Sequence, residues 1–441
     1  MQHCDALIAP RWCAPVAPPG AVLEDHAVAV TSGRILELLP LEQAQQKYQP
    51  SVLVERPQHL LIPGLVNAHT HAAMTLFRGM SDDLPLKAWL EDAIWPAEKR
   101  WVSAELVRDG TQLAISEMLK SGTTCFSDQY WFPEIVAETA IDMHMRALVG
   151  TPVLDMPTAW AASAAEYLRK GSDLVHDPYA GHPLIKTCFV PHSTYVLSDA
   201  SFVELRVVAD QLDLPVQIHL HETVAEVEQS LAQYGKRPLQ RLTDLGLANS
   251  SLLAVHAVHM TEDETRQMAA IGICVAHCPT SNLKLASGFA PIQAYLDAGI
   301  TVGLGTDSAA SNNKLDMLAE MRMAALLAKG VAGDAAALSA AEALHMATLG
   351  SAAAIGMAEQ IGSIEPGKWA DLVCVDMQRS NSQPVYDPVS QLVYTANAEQ
   401  VSDVWVGGRQ QLERGRLLSI KEDDIFKRSN EWRERIARDR T

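Results

Sequence analysis

Basic residues are scarce in this chain. Its 441 residues carry 35 Lys and Arg against 53 Asp and Glu, a formal net charge of −18. No Lys/Arg cluster supplies the basic footprint that phosphate neutralisation requires, so a nucleic-acid binder is not expected. The acidic surplus reads as a surface that resists non-specific association. Long apolar runs are missing as well: no stretch of 18 apolar residues occurs, and no membrane span is expected. The opening MQHCDALIAPRWCAPVAPPG has no basic start followed by an apolar core, so no signal peptide is read there. Cysteine is sparse: the seven are Cys4, Cys13, Cys125, Cys188, Cys274, Cys278 and Cys374, an odd number without regular spacing. That pattern excludes a disulfide scaffold and suggests a reduced, cytoplasmic protein. Cys274 and Cys278 lack a second cysteine pair and read as structural thiols. No repeat of 20–50 residues is present, which argues against solenoids and propellers.

What is present is an ordinary globular composition, 48% hydrophobic and 20% charged. The length suggests one large and one small domain. The first sixty residues, with DALIAP, HAVAVTSGRILELLP and SVLVERPQHLLIPG, are β-rich and broken by Pro and Gly. GSIEPGKWADLVCVDM and VSDVWVGGRQQLERGRLL near the other end look similar. Residues 1–62 and 362–441 are therefore expected to form one small β-sandwich domain with a C-terminal helical tail, KEDDIFKRSNEWRERIARDRT.

Between them, eight apolar, β-branched runs alternate with helix-like stretches. They are LIPGLVNAHTH, GTTCFSDQYW, MRALVGTPVLD, IKTCFVPHSTY, LPVQIHLHET, LLAVHAVHM, GICVAHCPTSN and ITVGLGTDSA. Eight such strands with intervening helices predict a (β/α)₈ barrel of the TIM type over 63–361.

Polar residues cluster at the C-terminal ends of these runs, the active-site face of such a barrel. His69 and His71 are two apart on the first run, so both project to one side. The fifth run adds a third imidazole, giving a nitrogen set suited to zinc or iron(II). His219 is the preferred ligand there; His221, on the same side by spacing, is the competing choice and otherwise a core or supporting residue. His256, at the end of the sixth run, can hydrogen-bond the attacking water or the atom it attacks. His259 falls in the next loop and reads as structural. Asp307, ending the eighth run, can touch both a metal and its water and accept a proton. One divalent ion on His69, His71, His219 and Asp307 is expected. A two-metal centre would need a bridging Lys or acid at the end of the fourth run, where His192 stands instead; Lys186 lies near that run's start.

NAHTH, HLHE, the sixth-run histidine and GLGTDSAASNN together make the chain resemble the amidohydrolase superfamily, over nearly its whole length. More narrowly it is similar to the 5-methylthioadenosine/S-adenosylhomocysteine deaminases, through Glu98 in IWPAEKRW, His192 in FVPHSTY, Glu222 in HLHET, SNLKLASGFAP and TDSAASNN. The resemblance implies hydrolytic deamination at C6 of an adenine nucleoside. Glu98 would bind the ribose hydroxyls, His192 would contact substrate, and Glu222 would reach the purine. Glu222 would donate a proton to the ring nitrogen beside C6, His256 would stabilise the developing charge, and Asp307 would shuttle the proton. Relatives that handle a homocysteine tail are expected to carry arginines after the third strand. This chain has only Arg169 there, which favours 5′-methylthioadenosine over S-adenosylhomocysteine or adenosine. Met74, Met156, Trp89 and Trp160 could line an apolar pocket around a thioether, although each reads more readily as simple core.

The expected partner is a small-molecule nucleoside, with homo-oligomerisation left open. Rival readings keep the metal set but change the substrate: guanine, another aminated heterocycle or an s-triazine. Cyclic-amide hydrolysis of the dihydroorotase kind would need the bridging lysine. A non-catalytic barrel would have lost the acid–base residues, all of which are present.

Overall fold

The computed structural model describes residues 1–438; the last three residues of the expected helical tail, 439–441, lie outside it. Two hydrogen-bonded sheets of nine strands organise the chain. Contacts divide it into two units. One comprises 1–67, 116–125 and 316–420, and the other comprises 68–115, 126–315 and the residues from 421 on.

The first sheet is mixed and draws on both ends of the chain. Gln2–Cys13 pairs in parallel with Tyr48–Pro63, with Ile8 opposite Val54 and Cys13 opposite Leu61. Tyr48–Pro63 pairs antiparallel with Leu372–Asp376, bringing Leu61 opposite Cys374. One face buries Ile8, Val28, Leu61, Leu372 and Trp405 in a common cluster, so neither end could fill this core alone. Arg56 adds a bidentate pair to the buried Asp403, with Nε to Oδ2 at 2.7 Å and Nη2 to Oδ1 at 2.5 Å.

The second sheet is the expected (β/α)₈ barrel. Its strands are Leu65–His71, Thr123–Gln129, Arg146–Val153, Ile185–Pro191, Val216–Leu220, Leu252–His256, Cys274–His277 and Val302–Leu304, the last resuming as Asp307–Ser308. All eight coincide with the apolar runs. Such strands are buried on both faces, which is why they read as continuous rather than alternating. The pairing is parallel, for example Val216 with Leu252 and Val275 with Val302. Closure comes from Asp307 opposite Thr70 and Ser308 opposite His71. Here the eighth segment passes so close to the first that a Cβ on Gly305 would sit 2.9 Å from the Cβ and carbonyl oxygen of His69. Only glycine fits there.

Helices connect the strands as the sequence indicates. Ala104–Lys120 and Asp199–Leu212 are two of them, the latter started by Ser198, whose hydroxyl accepts from Ser201 N–H. The C-terminal helix Glu422–Arg438 is not wholly solvated: Ile425, Trp432 and Ile436 are buried, and Trp432 Nε1 donates to Asp109 at 2.8 Å. No helix among the described residues is long and apolar enough to cross a membrane. All seven cysteines are free thiols.

Candidate metal centre and active site

Four donor atoms converge at the C-terminal end of the barrel. Nε2 of His69 lies 3.1 Å from Nε2 of His219 and 3.5 Å from Oδ1 of Asp307. Nε2 of His71 lies 3.1 Å from the same Oδ1. The ligand atoms of all four residues fall within 4.8 Å of one another. These are the four residues that the sequence singles out.

The outward atom of each donor is tied down. His71 Nδ1 donates to the carbonyl of Gln129 and His219 Nδ1 to the carbonyl of His192, both at 2.6 Å. That fixes the tautomer whose lone pair sits on Nε2. His69 Nδ1 meets the side-chain amide of Gln217 at 2.7 Å, and the other end of that amide meets Ser127 Oγ at 2.9 Å. Asp307 Oδ2 accepts from Ser281 Oγ at 2.6 Å and Ser311 Oγ at 2.9 Å. Nε2 of His71 and of His219 is thus presented as a donor to a shared centre, and Nε2 of His69 joins them when the Gln217 amide turns its oxygen to accept from His69 Nδ1–H. Two imidazole lone pairs 3.1 Å apart repel unless a positive charge lies between them. Neighbouring donors on a tetrahedral zinc, with Zn–N of about 2.0–2.1 Å, sit about 3.3 Å apart. The observed spacings of 3.1–3.5 Å bracket that value, and these residues fit one divalent cation.

Electrostatics agree. Burial pushes His69 down to about 4 and His219 well below its ordinary value, so both rings are neutral at pH 7 as ligation requires. Burial also lowers His71, but the adjacent Asp307 carboxylate outweighs it and the net direction is up. Burial would raise Asp307, yet hydrogen bonds from His69 and His71 hold it well below the usual carboxylate range. A cation would replace the proton in that pairing. No bridging group stands at the end of the fourth strand: Lys186 is at its start and His192 follows its end.

Strand geometry resolves His219 from His221. The fifth strand ends at Leu220, and His221 adopts a left-handed backbone with φ of 53°. Alternation stops there, so the two histidines do not share a face. His221 Nε2 accepts Leu239 N–H at 3.0 Å, and His221 Nδ1 lies 3.3 Å from the carbonyl oxygen of His259. His221 therefore ties the start of the helix Pro238–Asp244 to the loop that carries His259, and His259 does similar work with Nε2 2.6 Å from the Ser287 carbonyl.

Around the centre stand the other sequence-selected residues. His256 Nε2 is 3.8 Å from Glu222 Oε2, and its Nδ1 meets Asn282 Oδ1 at 2.8 Å. Glu222 is buried, which raises its pKa, and its Oε1 accepts from Ser287 Oγ at 3.1 Å. A cavity of about 550 Å³ opens over these groups and is also lined by Glu98 and His192. Burial raises Glu98 to about 7, with Tyr130 and His71 opposing, and lowers His192 to about 3. The Nδ1 atom of His192 is buried without a partner. Met74, Trp89 and Met156 line this cavity. Trp160 does not: it is buried against Tyr167, with ring centroids 5.7 Å apart, and donates Nε1 to Glu134. Arg169 is spent on an exposed pair with Asp173 at 3.2 Å.

Gln217, Ser281, Ser287 and Ser311 have roles at the site that sequence reasoning missed. For Gln217 a signal existed, since it lies two residues before His219 and faces the same side. Ser281 lies on the short helix Pro279–Lys284 and Ser287 and Ser311 lie on loops; all three fall inside SNLKLASGFAP and TDSAASNN, but no periodicity marks them.

Comparison with known proteins agrees with this geometry. The amidohydrolase family model matches residues 60–410. A relative from Teredinibacter turnerae, named 5-methylthioadenosine/S-adenosylhomocysteine deaminase, is 47% identical over 429 residues, covering 97% of this chain and 96% of its own. The crystal structure of an adenosine deaminase from Xanthomonas campestris with bound zinc superposes with a TM-score of 0.98 at 49% identity, covering 99% of both chains. An atrazine chlorohydrolase from Arthrobacter aurescens shares the fold, with a TM-score of 0.90 at 24% identity, over 97% of this chain and 99% of that one. The protein is a metal-dependent hydrolase. The chain belongs to the amidohydrolase family and, within it, to the 5-methylthioadenosine/S-adenosylhomocysteine deaminases.

Proposed function

We propose that this enzyme hydrolyses the C6 amino group of adenine nucleosides, with 5′-methylthioadenosine converted to 5′-methylthioinosine as its preferred reaction, and S-adenosylhomocysteine and adenosine as further substrates. The observation that carries this reading is one cavity whose wall holds His71, His219 and Asp307 of the four-donor centre together with the buried acid Glu222 and Glu98. The relatives' names point to the same nucleosides.

His69, His71, His219 and Asp307 would hold the ion, and we propose that it is zinc, in keeping with a three-nitrogen, one-carboxylate donor set and the zinc of the Xanthomonas structure. When bound, the cation acts as a Lewis acid that makes water a competent nucleophile near neutral pH. The remaining steps belong to the chain. Glu222 carries a proton because burial disfavours its charged form. Ser287 engages Oε1, which leaves Oε2 to hold that proton and give it to the ring nitrogen beside C6. Protonation there makes C6 more electrophilic. His256, oriented by Asn282, hydrogen-bonds the attacking oxygen. Asp307 takes up the proton that water releases and returns it to the departing amine, so that ammonia leaves; the proton of the remaining C6 hydroxyl passes to the ionised Glu222, which restores the acid and leaves the C6 carbonyl. Glu98 receives the ribose hydroxyls, and His192 contacts the substrate from the cavity wall.

The tail preference rests on the wall. Met74, Trp89, Leu90 and Met156 offer a thioether an apolar surface, and Lys99 is the one Lys or Arg among the lining residues. A homocysteine carboxylate finds no arginine fork there. A chlorinated or aminated triazine remains the second reading, favoured only by the shared fold of the atrazine enzyme.

The test is a substrate panel with zinc-loaded protein, following the ultraviolet change from adenine to hypoxanthine and ammonia release. Fastest turnover of 5′-methylthioadenosine, with S-adenosylhomocysteine behind it, is expected. Absence of turnover on every adenine nucleoside would refute the substrate class and turn attention to free bases and triazines.

A further inference from the structure

Asp307 is held from behind by two hydroxyls that converge on the same oxygen. Ser281 Oγ donates to Oδ2 at 2.6 Å and Ser311 Oγ at 2.9 Å, and the two hydroxyls are themselves 2.9 Å apart. The three side chains are buried, the serines almost completely. The opposite oxygen, Oδ1, is the one that faces His69 and His71. Ser281 comes from the short helix Pro279–Lys284 after the seventh strand, and Ser311 from the turn after the eighth. Ser311 is fixed in turn: its N–H donates to Ser308 Oγ at 2.9 Å, and its Oγ lies 3.0 Å from the same hydroxyl. Asn282, the neighbour of Ser281, orients His256. Two consecutive residues of a six-residue helix therefore hold a metal ligand and the sixth-strand histidine.

We propose that Ser281 and Ser311 are positioning residues that assign Asp307 to the cation through Oδ1 alone. A carboxylate has two equivalent oxygens and could embrace a cation with both. Hydroxyl-to-carboxylate bonds are charge-assisted, roughly twice as strong as neutral ones, and hold more firmly away from water. Turning the carboxylate about its Cβ–Cγ bond would break both of them at once. In a buried site nothing replaces them, so Oδ2 stays with the serines and the coordination number stays low. That leaves room for water and substrate at the centre, as a catalytic metal site requires. The pair thus sets both the tightness and the denticity of the centre.

The test uses the full chain with S281A, S311A, the double variant, and S281T as the conservative control. Zinc affinity is read by competition with a chromophoric chelator, with no substrate present, so the result stands apart from the nucleoside reading. Each single alanine variant is expected to weaken zinc binding about 10-fold, and the double variant about 100-fold, the usual range for partners of metal ligands. S281T, which keeps the hydroxyl, should bind zinc within about threefold of the parent. Cobalt-substituted protein supplies a spectroscopic readout: the visible bands of the double variant should weaken, because bidentate Asp307 raises the coordination number. Melting of the metal-free proteins controls for folding, and the single variants decide the matter should the double variant fail to fold. Parental zinc affinity and an unchanged cobalt spectrum in both single variants would overturn the proposal. So would a loss in S281T equal to that in S281A, which would make the effect one of packing.

Discussion

Glu226 is buried one helical turn beyond Glu222, and its charge has no cationic partner among its hydrogen bonds. Oε2 accepts Glu222 N–H at 2.8 Å and Oε1 accepts Thr194 Oγ at 3.3 Å. Burial outweighs these bonds and pushes its carboxyl up to about 8. The folded state therefore holds a proton that the unfolded chain releases above its ordinary 4.5. Between those values the folded state binds more protons, so stability falls as pH rises. The contribution is full below about pH 4.5 and gone above about pH 8. At 1.36 kcal/mol per pH unit the interval sets a ceiling of about 5 kcal/mol, and relaxation around the site should leave about 2–4 kcal/mol. Glu226→Gln keeps the shape and an acceptor for Glu222 N–H but cannot ionise. The variant should match the parent within about 1 kcal/mol at pH 5 and exceed it by the larger amount at pH 8.5. Thermal midpoints of zinc-loaded parent and variant, compared at each pH, cancel the pH dependence of the metal, which both share. Parallel curves for the two proteins would refute the reasoning, because they would mean that Glu226 ionises alike in folded and unfolded chains.

Three further outcomes follow from the site. Glu222→Gln keeps the volume and the Ser287 contact but removes the transferable proton. Its kcat should fall by about 10²–10⁴-fold while one zinc per chain is retained, as measured by metal analysis beside steady-state kinetics; equal loss of zinc would count against its role as an acid. His219→Ala should lose the metal, whereas His221→Ala should keep it and lose about 2–4 kcal/mol of stability through the orphaned Leu239 N–H and the cavity left behind. Gln217→Leu should weaken zinc by about 10–100-fold in chelator competition, because His69 loses the partner of its Nδ1; parental affinity would show that the amide is not needed.

How much of this was legible beforehand depends on the range of the forces involved. The eight barrel strands could be read because burial on both faces forces apolar, β-branched runs, a local signature. The four ligands could be read because a catalytic metal demands particular atoms, and the barrel demands them at strand ends. Trp160, which reads more readily as core than as pocket wall, is core: its indole N–H goes to Glu134, and an apolar ring gives no hint in the sequence of which cavity it faces. His221 shows the limit of periodicity itself. Alternation places it beside His219, but alternation is a property of extended backbone, and His221 has already left the strand at φ of 53°. His256 at 69°, the last residue of the sixth strand, and Asp307 at 59°, where the eighth resumes, share that left-handed backbone. Non-glycine residues in this region cost of order 1–3 kcal/mol unless their surroundings hold them. Here they are held: His221 by Leu239 N–H, His256 by Asn282, Asp307 by Ser281 and Ser311. The residues that the sequence failed to reveal are thus largely those that restrain the turned backbone of the residues it did reveal. A strand-end motif identifies the chemistry, while the loop partners, chosen by tertiary contact alone, decide which atom of each motif faces the centre.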